Sequence, residues 1–315
     1  MSEPVKTTYL AAVNAALARA ASAALDGTRP LVQMGENIDK GSRLCGLARN
    51  LPGVLTNIGN CELTHAGTGF GLMLNGVHCV LYVKQLDFLL LAMDQMAHTM
   101  RLIRAHGAAP AAGFTIVAIV CDQGWQGPQS SLQTLHGICS TVRADGFSPV
   151  VRAEAERIVS KQLTRPGFRI LAVSQRLFGA PALELPVLWE SEDQGCFQFA
   201  RGEDATVACF GFTQDSGAGL VARMAEQGRS ASLFSLHAVA PHRWERIVDD
   251  ARRTGRLIVL DSGGETLSPA HKLVAQALRA APGIEVKTVT REDEERDAVG
   301  EDRFAPPLEE LALCR

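Results

Sequence analysis

Short, continuous apolar runs alternate along this chain with longer stretches whose apolar residues recur three and four positions apart. The first pattern predicts buried strands and the second amphipathic helices. Residues 8–26 carry the Ala- and Leu-rich pattern of a helix, 31–34 a short strand and 35–42 a polar loop. Strands are predicted at 54–58, 77–83 and 115–121, the last β-branched and wholly apolar. Helices are predicted at 65–75 and 89–105, the latter closed by His106-Gly107. A loop rich in Gly, Gln and Pro spans 122–130, and 131–142 suits a further helix. Strand, helix and strand follow at 150–151, 154–163 and 170–173. Alternation of this kind predicts a parallel sheet with helices on both faces.

The rhythm breaks between 178 and 202, where prolines, Gly179, Gly195 and the run Trp189-Glu190-Ser191-Glu192-Asp193 intervene. It then restarts, with strands at 206–210, 232–236, 257–260 and 286–289 and helices at 217–227, 243–253 and 270–279. Two doubly wound α/β domains are therefore expected, residues 1–180 and 203–315, joined by a linker over 181–202. A short helix is expected after Pro306-Pro307, and no tandem repeat is visible.

Composition narrows the function classes. With 315 residues, 46% of them hydrophobic, two cores of ordinary size can be filled. A net charge of -3 gives no electrostatic reason to expect nucleic acid or an anionic membrane as partner. No run of 18 apolar residues predicts a membrane span. Met1-Ser2-Glu3-Pro4 lacks the basic and apolar regions of a signal peptide, so a cytoplasmic protein is expected. The eight cysteines form no CxxC pair and are expected as free thiols. The histidines show neither HxxxH nor HExxH spacing, so no metal site is expected within this chain.

Chemistry concentrates between Cys61 and Gln95. Glu62 lies where an extended stretch gives way to a helix containing Gly67, Gly69 and Gly71, with Gly76 beyond it. These glycines admit a second backbone closely, but Leu72 breaks the GxGxxG pattern of a dinucleotide fingerprint. Glu62 reads two ways: as an acid favoured at a helix N-terminus, or as an acceptor for a cofactor. Phe88, 26 positions later, reads as a core side chain or as a face for ring stacking. Asp94-Gln95 reads as a solvated helix face or an intersubunit contact. Asp261-Ser262-Gly263-Gly264 has the look of a serine-protease fragment, but at a strand end in an α/β domain it reads as a turn.

Taken in order, these residues resemble the β subunit of the 2-oxoacid (pyruvate) dehydrogenase E1 component, in the transketolase-like superfamily. Gly35-Glu36-Asn37 matches that family's GE(D/N) at a strand end. Glu62 matches its catalytic glutamate, Phe88 its stacking aromatic residue and Ala92-Met93-Asp94-Gln95 its A-(I/M)-D-Q helix. Further on, Gly202-Glu203-Asp204-Ala205-Thr206-Val207, the run from Thr254 to Asp261 and Pro306-Pro307-Leu308-Glu309 resemble its G-x-D-(V/A)-T, T-G-R-L-V-x-x-D and P-P-L-E motifs.

The resemblance implies a pyrimidine-binding domain followed by a transketolase C-terminal-like domain, and thiamine diphosphate as cofactor. In such enzymes a carboxylate bonded to N1' of the aminopyrimidine favours the imino form of the 4'-amino group, which takes up the thiazolium C2 proton. Apolar walls strengthen that charge-assisted bond. By resemblance Glu62 is this carboxylate, Phe88 the stacking ring and Glu36 a further cofactor contact. The superfamily's GDG motif for diphosphate and Mg²⁺ is missing, because Asp26-Gly27 and Asp145-Gly146 lack the leading glycine. The resemblance therefore implies that an α-type subunit holds Mg²⁺ and the diphosphate, in an α2β2 assembly.

Two departures from the family stand out. Lys84-Gln85-Leu86-Asp87 replaces an apolar or small stretch before Phe88. Lys84 reads as a contact for a substrate anion, or as an ion-pair partner of Asp87 or of another subunit. After Cys121, Gly127-Pro128-Gln129-Ser130-Ser131 stands where the family carries an A-Q-H-S-Q run, leaving Gln129 as a candidate substrate contact and His136 as a candidate catalytic histidine. Three functions compete. The first is decarboxylation of a 2-oxoacid such as pyruvate, with acyl transfer to a lipoyl domain. The second is two-carbon transfer to a small molecule, including ketol transfer by a split transketolase. The third is a non-catalytic scaffold for an α-type subunit.

Overall fold

The computed structural model describes residues 7–122, 135–264, 268–291 and 304–313. Gln129, the rest of the predicted 122–130 loop after Asp122 and the first residues of the helix predicted at 131–142 lie outside the described residues.

The first helix, α1 (Tyr9–Leu25), starts at Thr8, whose hydroxyl accepts the Ala11 amide at 3.3 Å. Val13, Leu17 and Ala21 recur at helical spacing and are fully buried. Six strands follow: β1 (Leu31–Gly35), β2 (Leu55–Asn57), β3 (His78–Val83), β4 (Gly113–Val120), β5 (Asp145–Phe147) and β6 (Gly167–Ser174). They form one all-parallel sheet in the order β2-β1-β3-β4-β6-β5. All eight residues of β4 are buried, which is why this run reads as continuously apolar. The connecting helices are α2 (Glu62–Leu74), α3 (Met93–Ala105), α4 (Leu135–Val142) and α5 (Arg152–Gln162). Within this order the chain leaves β1 toward β2, then crosses to β3 on the other side of β1. The carboxyl ends of β1 and β3 therefore flank a topological switch point, where open α/β sheets bind ligands.

Strand β5 forms at Asp145-Gly146-Phe147, whereas the sequence predicts a strand at 150–151. Val151 makes only an isolated bridge to Leu183. Asp and Gly disfavour strands, but packing overrides propensity here. A Cβ on Gly146 would run into the Cys139 sulfur, and Gly146 exchanges two backbone hydrogen bonds of 2.9 Å with Ala238.

The second sheet contains β7 (Trp189–Glu190), β8 (Cys196–Ala200), β9 (Ala205–Phe210), β10 (Ala231–Leu236), β11 (Arg256–Gly264) and β12 (Glu285–Arg291), in the order β12-β11-β9-β10-β8-β7. Strands β9 to β12 run parallel, while β8 pairs antiparallel with both β10 and β7. Within the 181–202 stretch, β7 and β8 thus extend this sheet, and Arg246 stacks over the Trp189 ring at 4.5 Å. Helices α6 (Gln214–Glu226), α7 (Glu245–Thr254), α8 (Ala270–Ala280) and α9 (Leu308–Leu313) complete the second half. Gly255, at φ 70°, closes α7 in the left-handed conformation that glycine adopts without strain.

The two halves pack directly. One cluster of buried apolar side chains includes Phe147 and Val151 of the first and Phe197, Leu233 and Leu260 of the second. Arg176, just past β6, donates to Asp215 and to the Phe212 carbonyl, both at 2.8 Å. Among the described residues no helix is long and apolar enough to cross a membrane.

Candidate active-site cleft

Three segments converge at the β1/β3 switch point. β1 ends at Gly35, where a Cβ would strike the Tyr82 backbone, so only glycine allows this approach of β1 to β3. The chain turns out of the sheet through Asn37, at φ 55°. The Asn57 side chain pins this turn, accepting the Ile38 and Asp39 amides at 2.9 and 3.0 Å. Glu36 is thereby aimed over the sheet edge.

Glu62 is the first residue of α2, three positions earlier than the predicted helix start. The helix is seated on the sheet by Gly69, whose hydrogen lies against the Phe114 ring. Phe70, Phe114 and Phe168 pack beside it with centroids 4.9–5.1 Å apart. Lys84 follows β3 directly. Phe88 lies in a 3-10 helix, Leu86–Ala92, half-buried and packed against the main core.

Glu36, Glu62, His65, Lys84 and Phe88 line one cleft, floored by apolar residues including Ile116. Burial and then the neighbouring Glu62 hold the Glu36 carboxyl above its ordinary range, while His65 and Lys84 pull it back down. Among the described residues neither carboxylate accepts a hydrogen bond or joins an ion pair within 4.0 Å. Glu62 therefore does not close a capping box with its own helix, although its charge suits the first turn. Among the described residues Lys84 joins no ion pair within 4.0 Å. The cavity is about 10 Å³, room for about one water. The described residues thus offer one wall for a ring rather than an enclosure.

This donor set fits the aminopyrimidine end of thiamine diphosphate. Two carboxylates with unused acceptor capacity line an apolar cleft beside a half-buried aromatic ring. Among the described residues no group of three or more His, Cys, Asp or Glu is placed to hold a metal ion.

Of the residues singled out in the sequence, the fold brings Glu36, Glu62, Lys84 and Phe88 together. His136 is elsewhere. It sits on α4 with its ring edge-on to Phe210 of the second half, centroids 5.7 Å apart. Its Nε2 is buried without a hydrogen-bond partner among the described residues. Burial pushes its pKa down to about 4, with Asp261 opposing. His65 is a cleft residue that sequence reasoning passed over. Its signal was available, since a residue three positions after Glu62 on one helix shares its face.

The architecture is transketolase-like: two six-stranded, mainly parallel α/β sheets in one chain. A solved structure described as "Split gene transketolase, inactive beta4 tetramer" superposes with a TM-score of 0.68, covering 93% of this chain and 92% of that one at 17% identity. In sequence, the chain is similar to the pyruvate dehydrogenase E1 component subunit beta of Rhizobium meliloti (strain 1021), 21% identical over 224 residues. That match covers 69% of this chain and 47% of the relative, so the chain spans about half the length of the curated relative it matches. No protein-family model matches the chain.

Proposed function

We propose that this chain is the β-type, pyrimidine-binding subunit of a thiamine diphosphate enzyme. It takes part in decarboxylating a 2-oxoacid, pyruvate being the simplest, and in passing the acyl or two-carbon unit to lipoamide or a small acceptor. The observation that carries this reading is the meeting of Glu36, Glu62 and Phe88 in one cleft at the switch point, with both carboxylates unpartnered among the described residues.

When bound, the cofactor supplies a carbon nucleophile and an electron sink for decarboxylation. Glu62 holds the ring nitrogen through a charge-assisted hydrogen bond, strengthened by the apolar floor. Glu36 supports it as a second carboxyl whose pKa burial and the neighbouring Glu62 raise. Phe88 offers its face to the ring. An α-type subunit completes the enclosure and holds Mg²⁺ and the diphosphate, in a symmetric α2β2 assembly.

A second reading, two-carbon ketol transfer by a split transketolase, is favoured by Gly127-Pro128-Gln129 standing where the family this chain resembles carries a histidine. Co-expression with an α-type partner, followed by mass spectrometry of products from pyruvate and candidate acceptors, separates the two. Full turnover by the Glu62→Ala complex would leave only a scaffold role.

A further inference from the structure

Two basic side chains share the cleft with the two carboxylates. Lys84 is exposed at the carboxyl end of β3, and His65 stands one turn into α2. Both act electrostatically on Glu36. Neither joins an ion pair within 4.0 Å with a described acid, although Glu36 and Glu62 line the same cleft.

The charge balance shifts once the carboxylates are in use. Glu62 bonded to a ring nitrogen spends its charge in that bond. Desolvation and the neighbouring Glu62 raise the Glu36 pKa, which disfavours its charged form. The Lys84 ammonium and the His65 imidazole then line the opening without an ion pair within 4.0 Å to a described acid.

We infer that Lys84 and His65 together bind the anionic group of the substrate, fixing its orientation in the cleft. The inference rests on the reading of the cleft as a pyrimidine half-site. Lys84 supplies a compact positive charge with three donors, and His65 one directional N–H. A 2-oxoacid carboxylate and the phosphate of a sugar phosphate present the same chemistry to this pair, so the probes must distinguish them.

The test uses the full chain and its complex with an α-type subunit. The His65 ring signal is assigned in the NMR spectrum by its loss in His65→Gln, then followed in the complex saturated with thiamine diphosphate while pyruvate or inorganic phosphate is added. Saturable displacement of that signal by either anion, weakened tenfold or more in Lys84→Met, is the expected result. The anion that succeeds names the source. In the complex, Lys84→Met should raise KM for the anionic substrate at least tenfold and leave kcat within about threefold. No displacement by either anion, or displacement equally strong in Lys84→Met, overturns the inference. Lys84 is exposed, so this variant should melt with the parent. Calorimetric binding of thiamine diphosphate to the complex separates the two levels. Lys84→Met should bind it normally. If Glu62→Gln also binds and turns over normally, the half-site reading fails whatever the anion result.

Discussion

Across the seam between the two sheets, Glu154 Oε1 accepts a hydrogen bond from His237 Nε2 at 2.9 Å, both side chains fully shielded from solvent. The other ring nitrogen, Nδ1, accepts the Ser148 amide at 3.1 Å. The proton therefore sits on Nε2 and the imidazole is neutral. Glu154 also accepts the Ser235 hydroxyl at 2.5 Å and the Val150 and Val151 amides at 3.0 and 3.2 Å. Four donors from both halves thus converge on one buried carboxylate, which fixes how the second sheet seats on the first.

Glu154→Ala leaves those donors buried without an acceptor. Each buried donor left unsatisfied costs about 1–3 kcal/mol. The urea midpoint should fall accordingly, and His237→Ala should cost less in the Glu154→Ala background than in the parent, because the two share one hydrogen bond while His237 alone holds the Ser148 amide. A loss under about 1 kcal/mol, or fully additive losses, would contradict this account of the seam.

Two glycines of α2 should respond oppositely to alanine. At Gly69 a Cβ meets the Phe114 ring, inside the aromatic cluster that seats the helix. Gly69→Ala should cost about 1–3 kcal/mol through overpacking. At Gly71 a Cβ meets nothing within 4 Å, so Gly71→Ala should stabilise the free chain by about 0.5–1 kcal/mol through helix propensity. Thermal melts of the two variants read the difference directly.

Acid should weaken the fold well above the carboxylate range. Burial lowers the pKa of His136 to about 4, and burial also lowers those of His242 and His78. An unfolded histidine titrates near 6.5. Between the folded and unfolded values the unfolded chain binds more protons, so stability is full above about pH 6.5 and lost as pH falls toward 4. For His136 alone the loss approaches about 3 kcal/mol. Unfolding free energy measured from pH 7 to 4 should decline, and His136→Gln should flatten the decline. An unchanged slope in that variant would remove His136 as its source.

Much of this was legible in the amino-acid pattern. Buried parallel strands such as β4 announce themselves because both faces are covered and every position is apolar. Short strands do not. Asp145-Gly146-Phe147 is a strand only because Gly146 fits under Cys139 and pairs with Ala238. Trp189-Glu190 and Cys196–Ala200 join the second sheet through partners distant in sequence. In the cleft, Glu62 and Phe88 were readable by resemblance, but their meeting with Glu36 and Lys84 follows from the strand order. His65 was passed over because the predicted helix began there, which hid the turn it shares with Glu62. His136 shows the converse limit: its neighbour Phe210 belongs to the other half of the chain, and no local pattern reports which way α4 faces.

The central claim is that the Glu62 carboxylate activates a cofactor ring whose diphosphate is held by another subunit. The most direct measurement is the rate of deuterium exchange at C2 of thiamine diphosphate bound to the complex of this chain with an α-type subunit. The account predicts rapid exchange in the parent complex and a slowing of about 10²-fold or more in Glu62→Gln, with the cofactor still bound. Exchange at the parent rate in that variant, or rapid exchange on this chain alone, would contradict it.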